Sequence, residues 1–414
     1  MNILFLSELF YPHGGGAELA TYLYAKLLSE EGFHVVVLTN RFGEEPEISK
    51  ERRLTVYRLP LFSGAESVKY SILSRIDVLL SGFMKKLMKW ADVVYVPRFW
   101  FSAIPLAKAY RRPVITHFHD YIPICSLSNF YDVSKNAICS RKNGFCSINC
   151  VYAYEKAGQR GFSAVVSSVL LNSFFGPCFM RMVQLSDAAV CVSKAQRNLI
   201  VGNQAGWASK IQVIYNPLPN IPLADVQADD FGYFGGSGYM KGFPVLYKAA
   251  AYINHIKHER LRIHATKFSG FDEKSSSVLR ELGIFAYGKL SMEEYDDLRN
   301  RIRTVIVPSV WEEPLPYVVT ETMLGGKLLI ASRIGGIPEQ VVGCEGAFLF
   351  DAGDYEQLVD RVLYVKNLDR ETMNNLGLKN REQVMKQFSN EKILGNFIDL
   401  LTEVSSHKSN KVNS

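Results

Sequence analysis

NILFLSELFYPHGGGAELATYLYAKLLSEEGFHVVVLTN, residues 2–40, decides the fold. NILFLSEL is apolar almost throughout, GAELATYLYAKLLSEEG places apolar side chains at helical spacing and stops at Gly32, and HVVVLTN is a second apolar run. Together they make a βαβ unit, and runs without polar alternation suit parallel strands covered by helices on both faces. The turn PHGGGAE (12–18) sets three glycines where backbone N–H groups can approach an anion at a helix N-terminus. It reads as a phosphate-binding loop or as a tight turn without a ligand. It is not the dinucleotide fingerprint, because counting from Gly14 the pattern G-x-G-x-x-G requires glycine where Leu19 stands.

Short apolar runs recur outward from this unit as LTVYRLP (54–60), DVVYVP (92–97), PVITHFHD (113–120) and AAVCVSK (188–194), with helical stretches between most of them. IQVIYNPLPNIPLADVQADD (211–230) ends the series with a strand and then a proline-rich segment that continues neither regular element. A second series follows: FGYFGG (231–236), LRIHATK (261–267), FAYG (285–288), TVIVPS (304–309), LLIASR (328–333) and AFLF (347–350). The expected organisation is an N-terminal domain over 1–217, a C-terminal domain over 218–390, a helix over 391–406 packing back on the N-terminal domain, and a flexible tail over 407–414. Two doubly wound α/β domains facing each other across a cleft would bind ligands beyond the carboxyl ends of their strands.

With 414 residues, 48% hydrophobic and 21% charged, and 16 prolines against 30 glycines, the composition is that of a globular protein and excludes disordered, collagenous and coiled-coil classes. The start lacks a positively charged region before its apolar residues, so it reads as a strand rather than a signal peptide, and a cytoplasmic location is expected. The apolar stretch 163–183 holds four serines, Asn172 and Pro177, which argues against a membrane span. Residues 1–222 carry 24 Lys and Arg against 15 Asp and Glu, whereas 223–414 carry 23 against 26. The basic front half suits nucleic acid, anionic lipid or a phosphorylated substrate, or is a solvated surface.

EPLPYVVTE (313–321) sets two carboxylates eight residues apart, one in a proline-rich loop after a strand and one at the start of a helix. Both can point at one ligand: carboxylates suit paired sugar hydroxyls, and helix-start N–H groups suit phosphate. The alternative is two surface acids, the second favoured by the helix dipole.

The GGAE loop, the histidine of PVITHFHD, DAAVCVSK with KIQVIYNP, YFGGSGYMKG, and VPSVWEEPLPYVVTETMLGGKLLIASRIGGIPEQV together resemble the family 4 type of glycosyltransferase with the GT-B fold. Order and spacing match along almost the whole chain, and E-x7-E with its following GG.PE stretch is the most specific part. The resemblance implies two Rossmann-like domains, a nucleoside diphosphate sugar as donor, retention at the anomeric carbon and no required cofactor or catalytic metal. It implies that Glu321 holds the ribose hydroxyls, that Glu313 lies near the transferred sugar, and that backbone groups of Leu315, Pro316 and Tyr317 contact that sugar or the diphosphate. Lys241 of the pair Lys241–Gly242 would neutralise the diphosphate leaving group. Gly15 and Gly16 would belong to the loop that closes over the donor, and His119 would polarise and position groups near the reacting carbon. The chain departs from the family at Gly236, where an arginine is usual; either Lys241 works with helix N–H groups, or Arg197 or Lys194 replaces it.

Cys125, Cys139, Cys146 and Cys150 fall in an insertion over 121–150 and read as a structural zinc site, disulfides or thiols; Cys178, Cys191 and Cys344 read as buried small hydrophobes. Lys85, Lys86 and Lys89 lie among Phe83, Met84, Leu87, Met88 and Trp90, within the basic and aromatic stretch 69–101. That helix either rests on an anionic membrane or packs its apolar stripe on the sheet. The expected function is a retaining hexosyltransferase acting on a glycan or lipid-linked acceptor in cell-surface polysaccharide or glycoconjugate assembly. Its expected location is cytoplasmic, with peripheral attachment to the inner membrane face and no nucleic-acid partner. The rivals are a GT-B-fold nucleotide-sugar epimerase or phosphorylase, and a catalytically silent sugar-nucleotide binding protein.

Overall fold

The structure is a computed structural model and describes residues 1–62, 75–140, 148–157, 161–268, 273–288 and 290–412. It divides into two compact units, Met1–Pro217 with Asn390–Ser414, and Leu218–Ser389. In the first, β1 (Asn2–Leu6) and β2 (His34–Asn40) pair in parallel around the helix Gly16–Glu30. That helix buries Ala20, Tyr24, Ala25 and Leu28 on one face. Glu18 closes its start by accepting the Gly15 N–H at 2.7 Å, and Gly32, with φ +90°, lets the chain turn out of its end.

The unit continues with β3 (Ile48–Glu51), β4 (Leu54–Leu59), β5 (Val93–Val96), β6 (Val114–Phe118), the hairpin strands β7 (Tyr131–Asp132) and β8 (Ala137–Ile138), β9 (Ala188–Cys191) and β10 (Ile211–Val213). The main sheet runs β10-β9-β6-β5-β1-β2-β4-β3, parallel except for β3, which pairs antiparallel to β4. Strand β3, of sequence ISKE, is exposed and charged, as suits an edge that must not recruit another strand. The helix Asn390–Val412 inserts Phe397 between Tyr24 and Tyr95, with ring centroids 4.6 and 5.3 Å away. It therefore completes the core of the first unit. It also runs past Ser406, where the sequence reading ended it, since no Gly or Pro follows to stop it.

The second unit contains β11 (Asp230–Tyr233), β12 (Ile263–Ala265), β13 (Ile284–Ala286), β14 (Ile302–Val307), β15 (Leu328–Ser332) and β16 (Ala347–Phe350). They form one sheet in the order β13-β12-β11-β14-β15-β16, every pair parallel. Phe231, Leu246, Ile263, Ile306, Ile330 and Phe350 sit in its core. Strand β11 stops at Tyr233, earlier than FGYFGG suggests, because Gly236 at φ +68° turns the chain away.

In each sheet the chain builds outward from its first strand, then returns to build the other side. The reversals lie between β1 and β5 and between β11 and β14. Crevices at such switch points are where open parallel sheets take ligands.

Candidate active site

The loops after β11 and β14 carry the C-terminal candidates. Glu313 is buried, and its Oε1 accepts from Lys241 Nζ at 2.7 Å and from Ser309 Oγ at 2.8 Å. Lys241 keeps 45% of its side chain exposed and lies 5.3 Å from the centre of the Trp311 ring. The pair is locked by close backbone packing. A Cβ on Gly242, at φ +80°, would meet the Pro308 carbonyl oxygen at 1.7 Å, and one on Gly335, at φ +56°, would meet the Glu313 carbonyl oxygen at 2.1 Å. Gly242 and Gly335 are therefore demanded by the approach of two loops, and Gly336 N–H donates to the Glu313 carbonyl at 2.8 Å. Glu312, which the sequence reading passed over, is a second carboxyl on this loop and is raised by burial, in part opposed by a hydrogen bond from the Gly335 backbone.

Leu315 and Tyr317 are buried at the start of the helix Tyr317–Leu324, with Pro316 at its cap. Pro316 has no N–H, and its carbonyl accepts from Gln340 Nε2 at 3.1 Å and from the Val319 N–H at 3.2 Å. Of the three, only Leu315 and Tyr317 bring backbone donors. Glu321 is half-buried in the same helix. Burial pushes its carboxyl up, while Lys267 and Arg299 pull it down. Tyr295, its ring tilted against that of Phe234 with centroids 5.8 Å apart, is raised to about 12 by burial and by Glu321. Thus Lys241, Gly242, Glu313, Leu315 and Tyr317 converge at the β11/β14 crevice, with Glu321 one helical turn further on.

In the first unit, Gly14, at φ +98°, has no room for a side chain, since a Cβ would meet Glu18 Cγ at 2.5 Å. Gly15 has room, its nearest neighbour being Glu18 Oε2 at 3.9 Å. Gly15 and Gly16 are exposed at the helix start. The fold thus requires glycine at 14 and not at 15.

His119 follows β6 and stacks on His117 with centroids 4.3 Å apart. Its Nε2 is buried with no hydrogen-bond partner among the described residues. Burial, then His117 and Arg98, hold it well below the usual imidazole range, so it is neutral at pH 7. His117 is lowered to about 3 by burial and shares a 2.6 Å hydrogen bond with the Tyr95 hydroxyl.

Behind the glycine loop lies a cluster that sequence reasoning missed. Arg98, just after β5, approaches Glu8 at 3.5 Å, Glu18 at 3.2 Å and Asp120 at 4.0 Å. Burial alone would lower the guanidinium's pKa, but Glu18, Glu8 and Asp120 together raise it. Glu8 is wholly buried and pushed up to about 7, desolvation outweighing Arg98. The available signal was positional: Glu8 and Arg98 each stand just beyond the end of a strand flanking the switch point.

Arg197, one replacement considered for the missing arginine, bonds the Ile211 and Ala208 carbonyls at 3.4 and 3.3 Å. Cys125 and Cys150 are buried, and Cys139 is intermediate. Cys146 lies outside the described residues, among which no three His, Cys, Asp or Glu side chains group to hold a metal ion. Cys178 is exposed, contrary to its reading as a buried hydrophobe; Cys191 and Cys344 are buried.

The helix Gly82–Trp90 buries Met84, Leu87 and Met88 and exposes Lys85, Lys86 and Lys89, so its apolar stripe packs inward; residues 69–74 of that stretch lie outside the described residues. The helix Phe162–Gln184 runs through Pro177, and no helix among the described residues is long and apolar enough to cross a membrane.

Residues 14–219 match the model described as Glycosyltransferase Family 4, and residues 220–383 match Glycosyl transferases group 1. The chain is 24% identical over 356 residues to an uncharacterised 42.6 kDa protein in the cps region of Klebsiella pneumoniae, covering 82% of this chain and 87% of that one. Sucrose-phosphate synthase from Thermosynechococcus elongatus superposes with a TM-score of 0.67 at 17% identity, over 98% of this chain and 99% of its own. HepE of Anabaena, solved with UDP-glucose, gives 0.62 at 18% identity, over 97% and 100%. The two matched models, one on each doubly wound domain, and these GT-B neighbours lead to one conclusion: the chain belongs to the family 4 glycosyltransferases and has the GT-B fold.

Proposed function

We propose that this glycosyltransferase moves a hexose, with retention, from a nucleoside diphosphate sugar to a glycan or lipid-linked acceptor in cell-surface glycan assembly. The observation that carries the reading is the buried Glu313 held by Lys241 and Ser309, with Glu321 in the helix that follows. Lys241 is the half-exposed member of its pair, so its ammonium can leave Glu313 for a diphosphate while Ser309 still holds the carboxylate. In the step proposed, the bond from the anomeric carbon to the diphosphate breaks with its electron pair going to phosphate oxygen, where Lys241 stabilises the growing charge. The acceptor hydroxyl bonds to that carbon on the same face, and its proton passes to the departing diphosphate. Glu321 holds the ribose, Gly15 and Gly16 bring backbone to the donor, and neutral His119 hydrogen-bonds near the reacting carbon. No cofactor or catalytic metal enters this scheme. For the donor, the support is HepE of Anabaena, which was solved with UDP-glucose.

For the acceptor, the support is the exposed Lys85, Lys86 and Lys89 and the exposed Phe162, Val166 and Leu170 at helical spacing. These features suit cytoplasmic work at an anionic bilayer carrying a lipid-linked glycan, each lysine contributing about 1 kcal/mol near the surface. The test is a panel of UDP, GDP and ADP sugars with polyprenyl-linked glycans. Nucleotide release that depends on acceptor supports transfer, and sugar interconversion without acceptor defeats it. Flotation with anionic liposomes tests the surface reading, which fails if no protein floats at low salt.

A further inference from the structure

Lys267 stands just beyond β12, the strand beside β11, and its surroundings assign it a task. Tyr233 of β11 pairs with Ala265 of β12, so the residues following each strand emerge side by side at the ligand-binding edge. There, the space above Gly236 is taken by its neighbour: a Cβ on Gly236 would meet the Lys267 carbonyl oxygen at 3.0 Å and Lys267 Cβ at 3.4 Å. With Gly236 also at φ +68°, a side chain at 236 is disfavoured on two counts. The cation absent there is present one strand over.

The backbone of Lys267 is held in a costly conformation. Its φ is +66°, a left-handed region that glycine or asparagine occupies more cheaply than lysine. The residues on either side fix it: Thr266 N–H donates to the Tyr233 carbonyl at 3.0 Å and Phe268 N–H to the Tyr287 carbonyl at 2.9 Å, both side chains being buried. Lys267 itself is exposed, and its charge reaches the Glu321 carboxylate, which it helps to hold in the ionised form. Lys267 thus sets an exposed positive charge in a left-handed turn between Gly236 and Glu321, at the strand ends where a ligand would lie.

We infer that Lys267 supplies the second cation for the donor's diphosphate, working with Lys241 from the adjacent strand end. This rests on the nucleotide-sugar reading of the same site. The probes are UDP, GDP and ADP, titrated by calorimetry into the full-length wild type, Lys267→Asn and Lys267→Arg, with thermal melts of each. A lost charge-assisted hydrogen bond corresponds to about a 10- to 150-fold change in affinity. Lys267→Asn should weaken the bound nucleotide within that range and melt no lower than wild type, because asparagine relieves the turn. Lys267→Arg should keep most of the affinity. Affinity within twofold of wild type in Lys267→Asn overturns the inference, as does a loss of affinity that comes with a lower melting temperature. If the wild type binds none of the three nucleotides, the functional reading falls first and the inference falls with it.

Discussion

Glu8 makes the electrostatics of the first unit measurable. Complete burial strips the carboxylate of water, Arg98 at 3.5 Å returns only part of that, and the pKa moves from 4.5 up to about 7. The folded protein thus binds this proton more tightly than the unfolded chain does. The resulting stability is complete below about pH 4.5 and is lost as pH rises through about 7, and the gap corresponds to about 3 kcal/mol. Glu8→Gln keeps the size of the side chain and the acceptor for the Phe99 N–H, but cannot ionise. Losing the attraction to Arg98 adds a constant offset. The stability of Glu8→Gln relative to wild type should nevertheless rise by about 2–3 kcal/mol between pH 5 and pH 8. His117 and His119, whose lowered values act in the opposite sense and cost stability as pH falls below about 6.5, are common to both proteins and largely cancel. Urea unfolding followed by tryptophan fluorescence at four pH values measures the difference. If it stays flat from pH 5 to pH 8, the carboxylate is not desolvated as argued.

Gly335→Ala places a methyl group against the Glu313 carbonyl, so unfolding experiments should show a loss of about 2 kcal/mol or more, with transfer falling in parallel. Gly15→Ala meets open space, and its melting temperature should match wild type while the transfer rate falls at least about tenfold, because the methyl group keeps the donor from the backbone; unchanged turnover would remove the loop from the site. Glu321→Ala should weaken nucleoside diphosphate binding by about 10- to 150-fold in calorimetry. EDTA should leave the initial transfer rate unchanged, and an immediate loss reversed by Mg²⁺ would contradict charge stabilisation by Lys241.

Strands such as VVVLTN and TVIVPS were legible because both of their faces are buried, which leaves an uninterrupted apolar run. The edge strand ISKE was not, since its role calls for charge and exposure rather than apolarity. At the site, Glu313 and Glu321 stand out through local spacing, and their neighbouring glycines through the close approach of loops. Arg98 and Glu8 lie 90 residues apart in sequence and meet only because β5 is laid beside β1. Lys267 was hidden for a similar reason: its relation to Gly236 is a property of strand register, and its backbone strain leaves no compositional trace. The helix Gly82–Trp90 shows the reverse case, in which one amphipathic pattern fits two surroundings and only packing decides between them.

The transfer proposed for the site around Lys241 and Glu313 depends on acceptor and keeps the anomeric configuration. The most direct measurement is the proton NMR spectrum of the product formed from a donor of known anomeric configuration, taken alongside the same reaction without acceptor. The proposed transfer predicts a product whose new linkage keeps the donor's configuration, and no turnover of the donor when acceptor is left out. An inverted linkage, or conversion of the donor sugar without acceptor, would contradict it.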